Sequence, residues 1–296
     1  MAALIPLAIK WSLILIVFAV GLQSTFRNAS CLFRQPRQLL SLVVAMNVVM
    51  PLLVVALVPL FHVGVTLVAL LTLAVSPVPP FLPNKAINAG GDANYTIGLL
   101  AATCLLAVVT VPLAVKVGEL MLGRSSAVPA QRIVMQVLVG VLVPLLAGLL
   151  VRRWLPTLAQ RTARPLSVAA TVLLVVSFLP VLVQASGAML ALVGKGTVVA
   201  FALFAAIGLL VGHWLGGPHP DDRSVLALAT ACRHPGIAIA LAHATFPEQK
   251  QVGPAVLVYL AVSGLICAPY LHWVKRRSAS RAETEQHERE GSAHTG

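Results

Sequence analysis

The sequence predicts an all-α integral membrane protein of about nine transmembrane helices, and three observations carry that expectation. Hydrophobic residues make up 58% of the 296 and charged residues only 10%, whereas a soluble domain is nearer a quarter charged. The apolar residues gather into stretches of about 20, the length of helix that crosses a bilayer; mean hydropathy over the chain is +0.92. No polar stretch longer than the C-terminal tail separates these runs, so one transmembrane domain is expected over 1–274 and no soluble one.

In chain order, the first span is 4–23. No basic run precedes it, so a retained span is expected rather than a cleaved signal peptide. Lys10, beside Trp11, lies near enough to the span's end to reach the interface along its own aliphatic stem. Segments 37–60, 92–116, 131–151, 165–186, 196–216 and 253–274 each read as an apolar span. Segments 63–90 and 222–246 are as apolar but irregular. The tail over 275–296, KRRSASRAETEQHEREGSAHTG, mixes charges with small polar residues and is expected to be disordered and cytoplasmic.

The formal charge of +12 would point to nucleic acid in a soluble chain. In a membrane protein it needs no such partner, because Lys and Arg collect in the loops that face the cytoplasm. With the C-terminus inside, thirteen of the 21 Lys and Arg fall in inner segments and five in outer ones, while Lys10, Lys85 and Arg233 lie within spans. The N-terminus is therefore expected outside and the C-terminus in the cytoplasm. The Ala-, Val-, Leu- and Arg-rich composition favours a bacterial inner membrane. Cys31, Cys104, Cys232 and Cys267 form no C-x-x-C pair, and neither disulfide framework nor metal site is indicated. His234 and His243 lack metal-ligand spacing with carboxylates, and no cofactor is called for.

Two spans are interrupted. Residues 76–92 read SPVPPFLPNKAINAGGD. Pro77, Pro79, Pro80 and Pro83 each lack an N–H and push the preceding residue out of the helical region. The second interruption, TACRHPGIA, sets Pro235 and Gly236 directly after Arg233 and His234. Non-helical backbone at membrane depth persists only where protein covers it or it lines a wet cavity. Two interrupted spans at corresponding places in two halves are the sequence-level sign of a secondary-transporter site. A charge at a helix centre costs about 2.5–3.5 kcal/mol on insertion scales, so Lys85, Asp92 and Arg233 together cost about 8–10 kcal/mol if unpaired. Arg233, near mid-span, needs a partner most.

At these breaks the chain resembles the bile acid:sodium symporter family. FAVGLQSTFRNASCLFRQPRQLLSLVVAMNVVMPLL is similar to its first-repeat region. PVPPFLPNKAINAGGDANYTIGLLAATCLLAVVTVPL is similar to its first crossover and the following helix, and HPDDRSVLALATACRHPGIAIALA to its second crossover. The resemblance implies inverted repeats with two crossing broken helices. It also implies a core domain, spans 63–116 and 196–274, that rocks against a panel domain, spans 4–60 and 131–186. Nine spans fit a member lacking the first helix of ten.

The departures from the family pattern concern sodium. Where the family has P-G-G-x-x-S-N, Pro77 holds but the glycines are Val78 and Pro79. The Ser-Asn pair becomes Leu82 and Pro83, with Asn84 one place on; Gly91 and Asp92 fit, and Thr96 keeps a hydroxyl. Where the family has E-x-x-x-Q-N, this chain has Ala229, Arg233 and His234. Carboxylate and amide oxygens suit a hard cation, and an arginine offers no acceptor.

The expected function is thus secondary transport of a small organic anion by alternating access, not enzymatic catalysis. Fixed charges, Arg233 and Lys85, would stand where sodium binds in relatives, with Arg233 paired to Asp92 or to a substrate carboxylate. Expected substrate-binding residues are Asn84, Lys85, Asn88, Arg233 and His234; Asp92, Thr96 and Thr230 are the ion-coupling candidates, with sodium or a proton as the coupling ion. The rival readings are a sodium-coupled symporter with a rebuilt site and a non-transporting receptor or scaffold. An intramembrane enzyme built on Cys232 near His234 comes last. Oligomeric state is left open.

Overall fold

The computed structural model describes residues 4–57, 59, 64–122, 129–193 and 196–294, and no β-strand occurs among them. Helix α1 spans Leu4–Gln23. A capped helical turn, Phe26–Ala29, and a 3₁₀ turn, Leu32–Arg34, lead into α2, Pro36–Leu57. The first broken span is α3, Val65–Val75, followed by α4, Leu82–Asn88. Then come α5, Ala93–Leu122, α6 over 130–154, and α7, Pro156–Val193. Helix α8, Thr197–Leu215, precedes the second broken span, α9, Pro220–Ala231, and α10, Pro235–Thr245; α11, Val252–His294, closes the chain.

Seven of these segments are long and apolar enough to cross a membrane, against the nine expected. That count covers the described residues alone, and 63–90 and 131–151 are the expected spans outside it. Residues 63–90 divide at the prolines, and α3, with 11 residues, rises about 16 Å, half the hydrocarbon thickness. Residues 131–151 fall within α6, whose helical path is interrupted by a wide π-turn, Leu138–Leu142. A similar π-turn, Val44–Val49, interrupts α2.

Helix α11 continues past residue 274 through His294. By residue 275 the helix is already nucleated, and each further residue only propagates it. Ala, Arg, Glu and Gln dominate the continuation and are good helix formers. Low hydrophobicity forbids a packed core but does not forbid a helix that grows out of one.

Among the described residues the buried apolar side chains fall into three clusters, the largest of which joins α1 and α6 to α5, α9 and α10; two contact groups stand out within this interior. Helix α1 lies against α6 and α7, and the α1–α6 contact is glycine on glycine: a Cβ on Gly21 would sit 2.5 Å from Leu145 O and 2.9 Å from Gly148 Cα. The other group joins α3, α8, α10 and α11 around Phe201, Phe204 and Tyr259, whose rings meet edge-on at 5.7 and 5.8 Å. Helix α8 also presses on α9, where a Cβ on Gly212 would come within 2.5 Å of Ala227 Cα. Large apolar side chains on α7, among them Val172, Val175, Val176 and Val183, are exposed, as a lipid-facing helix requires.

Candidate functional site

The two breaks meet. Pro77 holds Ser76 in an extended conformation (φ −74°, ψ 144°), and α3 ends there. Pro79 and Pro80 extend the gap until Pro83 takes a first-turn position of α4, where its missing N–H costs nothing. In the second span Cys232 and His234 are extended (ψ 124° and 105°) and Pro235 opens α10. The His234 N–H donates to Pro77 O at 2.9 Å, one backbone bond joining break to break. The His234 ring nitrogen Nδ1 accepts from Ile237 N–H at 3.3 Å and caps α10.

Arg233 lies at this junction with 2% of its surface exposed. Its Nη1 donates to Ser76 O at 3.2 Å and its Nη2 to Met46 O at 3.1 Å. Ser76 caps the C-terminal, negative end of α3. Met46 belongs to the π-turn of α2, where backbone pairing departs from the α-helical i to i+4 pattern. Arg233 Nε is buried and has no partner among the described residues. The freed Ala231 O, at the end of α9, accepts from the Tyr259 hydroxyl. Carbonyls released at the breaks are thus met by one arginine, one backbone amide and one tyrosine.

A small cavity adjoins this junction, lined by Met46, Asn47, Ser76, Pro77, Thr103 and Thr110 among others. Its volume is about 10 Å³, room for roughly one water.

The other expected site residues lie elsewhere. Asp92 accepts the Tyr95 N–H on Oδ1 at 2.6 Å and so caps α5, and the Thr96 hydroxyl donates to Asp92 O at 2.5 Å. Among the described residues no ion pair joins Asp92 to Arg233, whose hydrogen bonds go to carbonyls; the expected pairing is not found. The partner that a mid-span arginine requires is the end of a broken helix rather than a carboxylate. Lys85 and Asn88 are exposed on α4, with Lys85 Nζ 5.2 Å from the centre of the Phe81 ring. Asn84 donates to Ser167 Oγ on α7 at 3.1 Å. Thr230 is buried and bonds back to Leu226 O within α9 at 2.7 Å. Gly236 is exposed beside the His234 ring.

Several participants carry no strong sequence signal. Met46 and Ser76 act through backbone oxygen, and Tyr259 reads as one aromatic among many. Asn47 had a signal, a lone amide in the middle of an apolar span. Asp222 is a further buried carboxylate, 6% exposed, with Gln38 Nε2 donating to Oδ2 at 2.9 Å. Among the described residues no group of three His, Cys, Asp or Glu stands close enough to hold a metal ion.

No curated protein matches the chain. The model of the sodium bile acid symporter family matches residues 11–192, which is more than half of the sequence. That region runs from within α1 to the last turn of α7, includes the first break and stops short of Arg233. With its apolar helices and its first break inside the matched region, the chain is a multi-pass membrane protein that belongs to the sodium bile acid symporter family.

Proposed function

We propose that this protein is a secondary transporter that carries a small or amphipathic organic anion by alternating access, with Arg233 serving as a fixed charge where a sodium ion would sit in the family's pattern. The observation that carries the reading is the pair of bonds from Arg233 to Ser76 O and Met46 O. Backbone carbonyls at the end of a broken helix are the ligands a hard cation takes. Here a guanidinium, which cannot lose its proton, engages them instead. Ser76 O, Pro77 O and Ala231 O each already accept a hydrogen bond, which speaks against a rebuilt sodium site on the same oxygens. Lys85, exposed on α4, has no part in this arrangement, and the proposal rests on Arg233 alone.

The cavity beside the junction is far too small for an organic anion, so the closed arrangement must open for substrate to enter. In the family's manner, the core, spans 63–116 and 196–274, would rock against the panel, spans 4–60 and 131–186, to open it. Asn47 and Thr110 then offer polar groups to a carboxylate whose charge Arg233 attracts. The excess of Lys and Arg in inner segments supports an N-terminus outside and a C-terminus in the cytoplasm, and the Ala-, Val-, Leu- and Arg-rich composition favours a bacterial inner membrane.

The test is flux in proteoliposomes for a bile acid and for short carboxylates, with wild type and Arg233→Gln compared. The reading expects anion uptake by wild type and its loss in a variant that still shows a cooperative thermal transition. Undiminished uptake by folded Arg233→Gln contradicts it.

A further inference from the structure

Beside the second break, two cysteines 35 positions apart in sequence face each other: Cys232 Sγ and Cys267 Sγ are 3.9 Å apart. Cys232 is the extended residue that ends α9, and Cys267 projects from the membrane-spanning part of α11. Among the described residues no other two thiols are within bonding reach of each other. Cys232 is partly exposed and Cys267 is buried, the arrangement in which one sulfur meets an oxidant and the other resolves it. Cys104, by contrast, is buried alone, as a packed small hydrophobe is.

We propose that Cys232 and Cys267 form an oxidisable dithiol, a modification site at which a peroxide closes a disulfide between the second break and α11. In the first step the Cys232 sulfur attacks one peroxide oxygen; the O–O bond breaks, Cys232 becomes a sulfenic acid and one water leaves. In the second step the Cys267 sulfur attacks the sulfenic sulfur; the S–O bond breaks, the S–S bond forms and a second water leaves. Two thiols and one hydrogen peroxide give one disulfide and two waters, so two electrons pass from sulfur to peroxide. Closure shortens the sulfur separation from 3.9 Å to about 2.05 Å. Its neighbour Arg233 holds Ser76 O and Met46 O at 3.2 and 3.1 Å, near the outer limit for such bonds. The pull on Cys232 therefore loosens the junction that Arg233 and His234 make with the first break.

The full chain in detergent is treated with hydrogen peroxide at a dose that converts exposed Met135 to its sulfoxide, then denatured, alkylated and digested without reduction. The expected result is one peptide pair joined through Cys232 and Cys267, lighter than the two free peptides by two hydrogens, with Cys104 alkylated. Cys267→Ser should lack the link and leave Cys232 as a sulfenic acid that dimedone traps. Hydrogen exchange at the His234 amide should be faster in the oxidised protein and return to its starting rate with dithiothreitol. The proposal is overturned if both thiols stay free while Met135 is oxidised, or if Cys232 links elsewhere. It is likewise overturned if the disulfide forms and His234 exchange does not change.

Discussion

The first break and the second reach the same end by opposite means. The first is wide: prolines keep 76–80 out of any helix, and what it presents is oxygen, the carbonyls of Ser76 and Pro77. The second is narrow, three residues between α9 and α10, and what it presents is N–H, from the Arg233 guanidinium and the His234 backbone. Each satisfies the other. Non-helical backbone at membrane depth is costly only if unpaired, and here acceptors from one interrupted span meet donors from another. The difference shows why a cation can be replaced by a side chain: the acceptors are fixed by proline, and any positive donor that reaches them suffices.

The comparison breaks most severely at Arg233. Arg233→Leu removes both donors and leaves Ser76 O and Met46 O buried without them, and the expected loss is about 2–5 kcal/mol. Thermal unfolding in detergent reads it, and a midpoint unchanged from wild type would show that the bonds contribute nothing. Tyr259→Phe touches only the second break, where Ala231 O loses its hydroxyl donor while the ring contacts with Phe201 and Phe204 persist. About 1–2 kcal/mol should go, visible in the same assay. Pro77→Ala should do least, about 1 kcal/mol or below, because Pro79 and Pro80 still bar the helix and the residue-77 carbonyl remains in place. Slow exchange of the His234 amide in that variant would confirm that the first break does not depend on any single proline.

Much of this was legible in the residues. Four prolines in seven positions announced one break, and Arg233 near the middle of an apolar span announced that something must receive it. What receives it was not legible. Asp92 was the natural candidate by charge, yet it caps α5 on the Tyr95 amide. The real acceptors are backbone oxygens, which look alike at every position of a sequence, and in VAMNVV, the run that forms the π-turn, only Asn47 stands out while Met46 does not. Asn84 and Lys85 read as site residues because they follow the prolines directly. The turn into α4 instead carries Asn84 to Ser167 on α7 and leaves Lys85 exposed over Phe81.

The central claim, that Arg233 occupies a cation's place, is tested most directly by the thermal midpoint of the purified wild-type protein in sodium chloride against potassium chloride at equal ionic strength. A ligand present at 100 times its dissociation constant stabilises by about 2.7 kcal/mol, so a bound sodium ion would be plain to see. The account predicts the same midpoint in both salts. A rise specific to sodium would contradict it, since the ion would then be bound in spite of the guanidinium.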